Sequence, residues 1–204
     1  SVLLSIATIA KDQHGAVLFP ARMHMLFRGI NGVYACVNED CSHKHTDGTL
    51  TLGELFYSDG RLVCPHCGGA VYELYNDRRC GALFINGYIL EADLNSPAHA
   101  TYLWSYPGQL LDKNMKQIHL YIPPNDFKQF RKHSVNPIFP CYLDVKSGFI
   151  DFHDDSLAGR PGIRKLYYCK YSAKGKPELV TFPTCPHCQQ ELSKMRLTSF
   201  STRG

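Results

Sequence analysis

Four of the chain's nine cysteines stand in two copies of one tetrapeptide, Cys64-Pro-His-Cys67 and Cys185-Pro-His-Cys188. Cysteines this close rarely bridge each other, but they suit a shared metal ion. A further pair, Cys36-Val-Asn-Glu-Asp-Cys41, precedes the first tetrapeptide by 22 residues. Zinc takes four ligands in a tetrahedron, and two short cysteine loops on neighbouring hairpins can supply them. Cys36, Cys41, Cys64 and Cys67 are therefore expected to form one zinc site. Gly68 suits a backbone that turns back so that its amides face the sulfurs. Reduced core cysteines are the competing reading. A redox motif is a third, but no βαβ pattern surrounds the cysteines.

A second zinc site is a candidate with one ligand in question. Cys185 and Cys188 supply two thiols, and Cys80 reads as the second half of a C-x-x-C whose first position is Asp77. Carboxylate oxygen also binds zinc, so Asp77 can complete the set. Cys169 and nearby histidines compete for that place. Cys141 reads as an inert core thiol. His66 and His187, inside the tetrapeptides, are expected to point away from the metal. His43 and His45 read as a solvated loop, and His24 as a polar-facing strand residue.

The odd cysteine count argues against a fully paired disulfide framework and for a reducing, cytoplasmic setting. The 204 residues can bury a sizeable core without staples. Twelve Tyr, eleven Phe, sixteen Gly and twelve Pro favour short strands and turns. The expected fold is α+β: predominantly antiparallel β hairpins with zinc-ribbon-like knuckles and few short helices. Helices are expected over 1–13 and 126–132. Strands are expected over 22–28, 70–75, 82–90 and 118–122. Hairpins are expected to pair 53–57 with 61–63, 141–145 with 149–152, and 165–171 with 178–182. Residues 1–92 would hold the N-terminal helix and first zinc unit. Residues 93–204 would hold a β-rich unit ending in the second knuckle. The start at Ser1 and the closing Phe200-Ser-Thr-Arg-Gly204 suggest a piece of a longer protein, and no run is apolar enough to span a membrane.

No phosphate-binding G-x-x-x-x-G-K-[ST] loop, G-x-S-x-G elbow or H-E-x-x-H motif occurs, so this segment is not expected to be an enzyme alone. Asp151, His153, Asp154 and Asp155 form an acidic cluster that a polar loop explains. A free-standing hydrolase or nuclease built on it is a minor alternative. The net charge of +4 permits nucleic acid as a partner without demanding it. Arg78, Arg79, Arg164, Lys165, Lys170 and Lys174 are candidate nucleic-acid contacts, several beside aromatics that could stack on unpaired bases. A solvated hairpin face is the competing account.

The run from Phe19 to Cys36, with Leu52-Gly-Glu-Leu-Phe-Tyr57, Cys64-Pro-His-Cys-Gly-Gly-Ala-Val-Tyr-Glu-Leu74 and Arg78-Arg-Cys-Gly81, resembles the cysteine-rich zinc-binding region of large bacterial DEAD/DEAH-box (superfamily 2) helicases. Relatives of these occur among phage-defence helicases. The resemblance is specific over 19–88 and weaker over 141–204. In the family pattern a cysteine precedes Arg-Arg-Cys-Gly, where this chain has Asp77, so the departure touches only the second site. The resemblance implies a parent that hydrolyses ATP and moves along nucleic acid, its motor lobes in cis and outside this segment. The chain would then be a zinc-binding accessory domain acting on single- or double-stranded DNA or docking a partner. The alternative is a zinc-stabilised protein-interaction module without nucleic-acid binding.

Overall fold

The computed structural model describes residues 32–57, 61–90, 101–106, 115–128, 137–153, 155–173, 176–180, 182–192 and 197–199. Side chains of 170–180 and 197–199 are outside the description. The described residues all lie in one compact unit, 30–203. They form strands and one short 3-10 turn, Asp155–Leu157.

The strands are β1 (Tyr34–Cys36), β2 (His45–Asp47), β3 (Leu50–Leu52), β4 (Leu55–Phe56), β5 (Val71–Asp77), β6 (Leu83–Leu90), β7 (Thr101–Tyr102), β8 (Met115–Tyr121), β9 (Ile138–Asp144), β10 (Phe149–Asp151), β11 (Ile163–Ala173), β12 (Lys176–Val180) and β13 (Leu197–Ser199). One antiparallel sheet runs β4-β1-β5-β6-β8-β11-β9-β10-β7, with β12 on β11 and β13 on β5. Strands before and after residue 92 thus share it. β2 and β3 form a separate ribbon. The path from β6 to β7 returns upon itself. Tyr88 and Trp104 exchange two backbone hydrogen bonds of 2.8 Å, which brings the end of β7 back to β6.

Alternation explains this ring. Ile85, Ile89, Ile118, Leu120, Leu143, Ile150 and Leu166 are buried together on one face, with Tyr72 and Leu74 of β5. The opposite register positions face outward. There Phe84, Tyr121, Tyr167 and Phe182 make a second apolar layer, with ring centroids 5.4 Å apart for Phe84–Tyr121 and 5.2 Å for Phe84–Phe182. Buried Cys185 belongs to this layer, so the second tetrapeptide docks on the outside of the ring.

The hairpins joining β9 to β10 and β11 to β12 form where the turn residues place them, and 71–77, 83–90 and 115–121 are strands. The hairpin expected between 53–57 and 61–63 is not formed. Leu55 and Phe56 instead pair with Ala35 and Tyr34, while Val63 bridges Ala70. A local turn signal has yielded to nonlocal pairing that carries the first cysteine loop. Of the helix expected over 126–132, residues 126–128 form no helix: Asn125 and Asp126 make a turn whose Asn125 N–H donates to Thr49. The remainder, the expected helix over 1–13 and the strand over 22–28 lie outside the described residues. No helix among the described residues is long and apolar enough to cross a membrane.

His119, on the outer face of β8, is 8% exposed, and among the described residues neither ring nitrogen has a hydrogen-bond partner. Its ring lies against Tyr75 at 4.9 Å. Burial lowers its pKa from 6.5 to about 4. Between those values the unfolded chain holds a proton that the folded chain refuses. Stability therefore falls as pH drops through that window, by about 3 kcal/mol in all. His119→Leu should flatten this acid limb in urea melts from pH 7 to 4. It should also stabilise the fold by about 1–2 kcal/mol at pH 7, because a buried polar group without a partner is costly. An acid limb as steep as the parent's would mean that other groups cause it.

Candidate metal centres

Each tetrapeptide folds as a tight turn closed by the same two bonds. In the first, the Gly68 N–H donates to Cys64 O at 3.0 Å and the Cys64 N–H to Gly69 O at 2.8 Å. In the second, Gln189 donates to Cys185 O at 3.0 Å and Cys185 to Gln190 O at 2.9 Å. Strand bridges Val63–Ala70 and Thr184–Glu191 flank them. The turn requires a left-handed residue after the second cysteine. Gly68 meets this at φ 69° without cost, whereas Gln189 adopts φ 59° and bears strain on the order of 1 kcal/mol.

Cys36, Cys41, Cys64 and Cys67 converge with all four sulfurs within 4.8 Å of one another. Cys36 ends β1, and Cys41 lies in the loop beyond it. The Cys36 Sγ–Cys67 Sγ separation is 3.5 Å and Cys41 Sγ–Cys64 Sγ is 3.8 Å. Gly53 permits this approach, because a Cβ there would lie 2.7 Å from the Cys36 sulfur. Burial pushes the Cys36 and Cys64 thiols up. Cys67 goes the other way: against the upward push of burial, the Gly69 N–H, at 3.4 Å from its sulfur, and neighbouring donors bring it down to about 7. One thiolate is thus favoured before any cation arrives.

The second cluster is Asp77, Cys80, Cys185 and Cys188, again within 4.8 Å. Asp77 ends β5 and is fully buried. Its Oδ2 stands 3.6 Å from Cys80 Sγ and 3.5 Å from Cys188 Sγ, and Cys80 Sγ is 3.6 Å from Cys185 Sγ. Arg79 donates from its backbone N and Nε to Oδ1 and from Nη2 to Oδ2 at 2.9–3.1 Å, which holds the carboxyl well below the usual carboxylate range. Cys169, the rival fourth ligand, lies outside the cluster, in the outer apolar layer, where burial raises its thiol to about 11. Cys141 is wholly buried and its thiol is pushed far up. His66 is outside both clusters. It meets Glu54 Oε2 at 2.8 Å and stacks on His43 at 3.6 Å. His45 and His187 are also outside them; His24 lies outside the described residues.

The spacings suit a single ion each. Zinc–sulfur bonds of about 2.3 Å make tetrahedron edges of about 3.8 Å, and a zinc–oxygen bond of about 2.1 Å shortens the oxygen–sulfur edge to about 3.6 Å. Both clusters could hold a metal ion, and among the described residues no other group of His, Cys, Asp and Glu side chains could. In the acidic stretch, Asp151 accepts a hydrogen bond from the His153 backbone, and Asp154 is outside the described residues.

The basic candidates divide. Arg164 is only 2% exposed. Its Nη1 donates to Val37 O at 2.8 Å, its Nη2 to Thr51 O at 2.7 Å, and Glu39 lies 3.5 Å away. It ties β11 to the first cysteine loop and cannot reach a phosphate. Arg79 is committed to Asp77. Arg78 and Lys165 are exposed, Lys165 standing 5.5 Å over the Tyr167 ring. Lys174 and the side chain of Lys170 lie outside the described residues. Sequence reasoning missed a stripe of exposed aromatics, Tyr102, Trp104 and Tyr106, at 42–59% exposure. Their every-second-residue spacing was the available signal.

Fold and clusters together define a closed antiparallel β domain built around two cysteine-rich candidate metal centres. The chain belongs to the YjiV N-terminal domain family, whose profile matches residues 56–201. It is also similar to Druantia protein DruE of Escherichia coli (strain UMEA 4076-1), at 29% identity over 195 residues. That match takes in 93% of this chain and 10% of the relative's length, so the chain spans about a tenth of the protein it matches. No solved structure matches it.

Proposed function

We propose that the chain is a zinc-stabilised accessory domain of a phage-defence helicase, contributing a surface for unpaired nucleic acid. The observation that carries the metal half is the pair of four-residue clusters near the two ends of β5, each with its donor atoms within 4.8 Å of one another. Zinc suits three or four thiolates, and a structural site has every position filled by protein, which fits scaffolding rather than catalysis. Similarity to a tenth of a much longer protein supports an accessory role. The sequence resemblance to superfamily 2 helicases supports a motor as the parent.

The aromatic stripe supports the nucleic-acid half. Tyr102 and Trp104, two residues apart on an extended stretch, are spaced by about 6.7 Å, with Tyr106 in the bend that follows, and sequence-tolerant binders stack unpaired bases on such aromatics. Trp104 is the chain's one tryptophan, so its fluorescence reports on the stripe. Titration with a single-stranded oligonucleotide at two salt concentrations should quench it, more weakly at the higher salt. Trp104→Ala, followed by anisotropy of a labelled oligonucleotide, should lose roughly 1–3 kcal/mol of binding. If no single- or double-stranded DNA binds at low salt, the stripe serves the second reading, a protein-docking surface. Exposed Tyr57, Leu62 and Val63 beside the first centre favour that reading.

A further inference from the structure

We infer that Arg79 is a positioning residue of the second metal centre, acting through Asp77 rather than on any nucleic acid. This rests on the metal reading above and extends it to the shell around the ligands. The Asp77 carboxylate has two oxygens with different tasks. Oδ1 accepts from the Arg79 backbone N–H at 3.1 Å and from Nε at 3.0 Å, both bonds coming from Arg79. Oδ2 takes one Nη2 hydrogen at 2.9 Å and otherwise faces Cys80 and Cys188. The planar guanidinium fork therefore fixes the carboxylate plane and presents a single oxygen to the ion, leaving room for three sulfurs.

A fork is needed here and not at the first centre for a geometric reason. A cysteine in a tight turn presents one sulfur on a short arm. An aspartate can rotate about χ2 and present either oxygen or both, so without a clamp it is a poorly specified ligand. Arg79 also balances charge. Three thiolates and a carboxylate around a divalent ion leave an excess of negative charge, and the guanidinium lies against the carboxylate at 2.9 Å. Ligand-orienting groups of this kind typically tune metal affinity about 10–100-fold.

The test uses the whole chain loaded with zinc, competed against a chromogenic chelator, and loaded in parallel with cobalt(II) to read the ligand set from its absorption spectrum. The parent should bind two ions. Arg79→Ala should weaken the second by about 10–100-fold and shift the cobalt bands of that centre. It should leave the first centre unchanged, which doubles as the control that the variant is folded. Arg79→Lys keeps the charge without the fork and should recover only part of the loss. Asp77→Cys replaces the carboxylate with a sulfur that needs no clamp, and in that background Arg79→Ala should cost nothing. An equal loss with and without the carboxylate would place Arg79 in the fold and not in the centre, and overturn the inference. So would an Arg79→Ala protein with both affinities intact. A parent that binds fewer than two ions would sink the metal reading itself.

Discussion

Stripping the metal is expected to unfold the domain. Protein purified without added zinc should contain two ions per chain. An excess of a strong chelator should abolish its cooperative thermal transition, and stoichiometric zinc should restore it. The magnitude follows from where the ligands sit. Cys36, Cys41, Cys64 and Cys67 join the end of β1 to the turn before β5, and Asp77, Cys80, Cys185 and Cys188 join the end of β5 to the chain's last knuckle. Without a cation most of these thiols resist ionising, since burial raises Cys36, Cys64, Cys80 and Cys185, Cys67 being the exception. A divalent cation reverses that preference and converts binding into folding free energy, about 10 kcal/mol or more for a structural zinc. That is comparable to the whole stability of an ordinary domain. Protein that carries no metal as purified and keeps its transition in chelator would refute the structural role.

Arg164→Ala should destabilise the domain by about 2–5 kcal/mol, since each buried acceptor left unpaired costs about 1–3 kcal/mol. The guanidinium is buried and bridges two carbonyls, Val37 O in the first cysteine loop and Thr51 O of β3. Removing it strands both acceptors and leaves a polar void between β11 and the cysteine loop. Arg164→Lys cannot span both carbonyls and should recover little. Urea melts of the zinc-loaded proteins measure the loss. The same variants, while folded, should show the parent's salt dependence in DNA titrations, because the side chain never faces solvent. A salt slope reduced by about one would return Arg164 to the nucleic-acid surface.

The contrast between these residues explains what could be read in the sequence. The cysteine clusters were legible because half of each cluster is local. A C-x-x-C turn constrains its own geometry, and only the partners must be inferred. Asp77 was legible by the same spacing rule, three residues before Cys80. Arg164 was not, since its partners lie 127 and 113 residues away, and an arginine among lysines reads as surface charge. Gln189 shows a subtler limit: the two knuckles share one backbone shape, yet only one carries the glycine that shape favours. The misplaced hairpin at 53–63 failed for a reason of topology, because Leu55 and Phe56 are claimed by β1 and not by their sequence neighbours.

The strand β5 carries a consequence of its own. Its seven residues, about 20 Å of chain, run from the first knuckle to Asp77. A strand held at one end can slide by a residue and pair again, with every side chain turned to the wrong face. A strand held at both ends has no such freedom. If each cluster holds an ion, the two centres would together act as a gauge that sets the alignment of β1, β5 and β6. Capture of both ions would then leave β5 one admissible pairing.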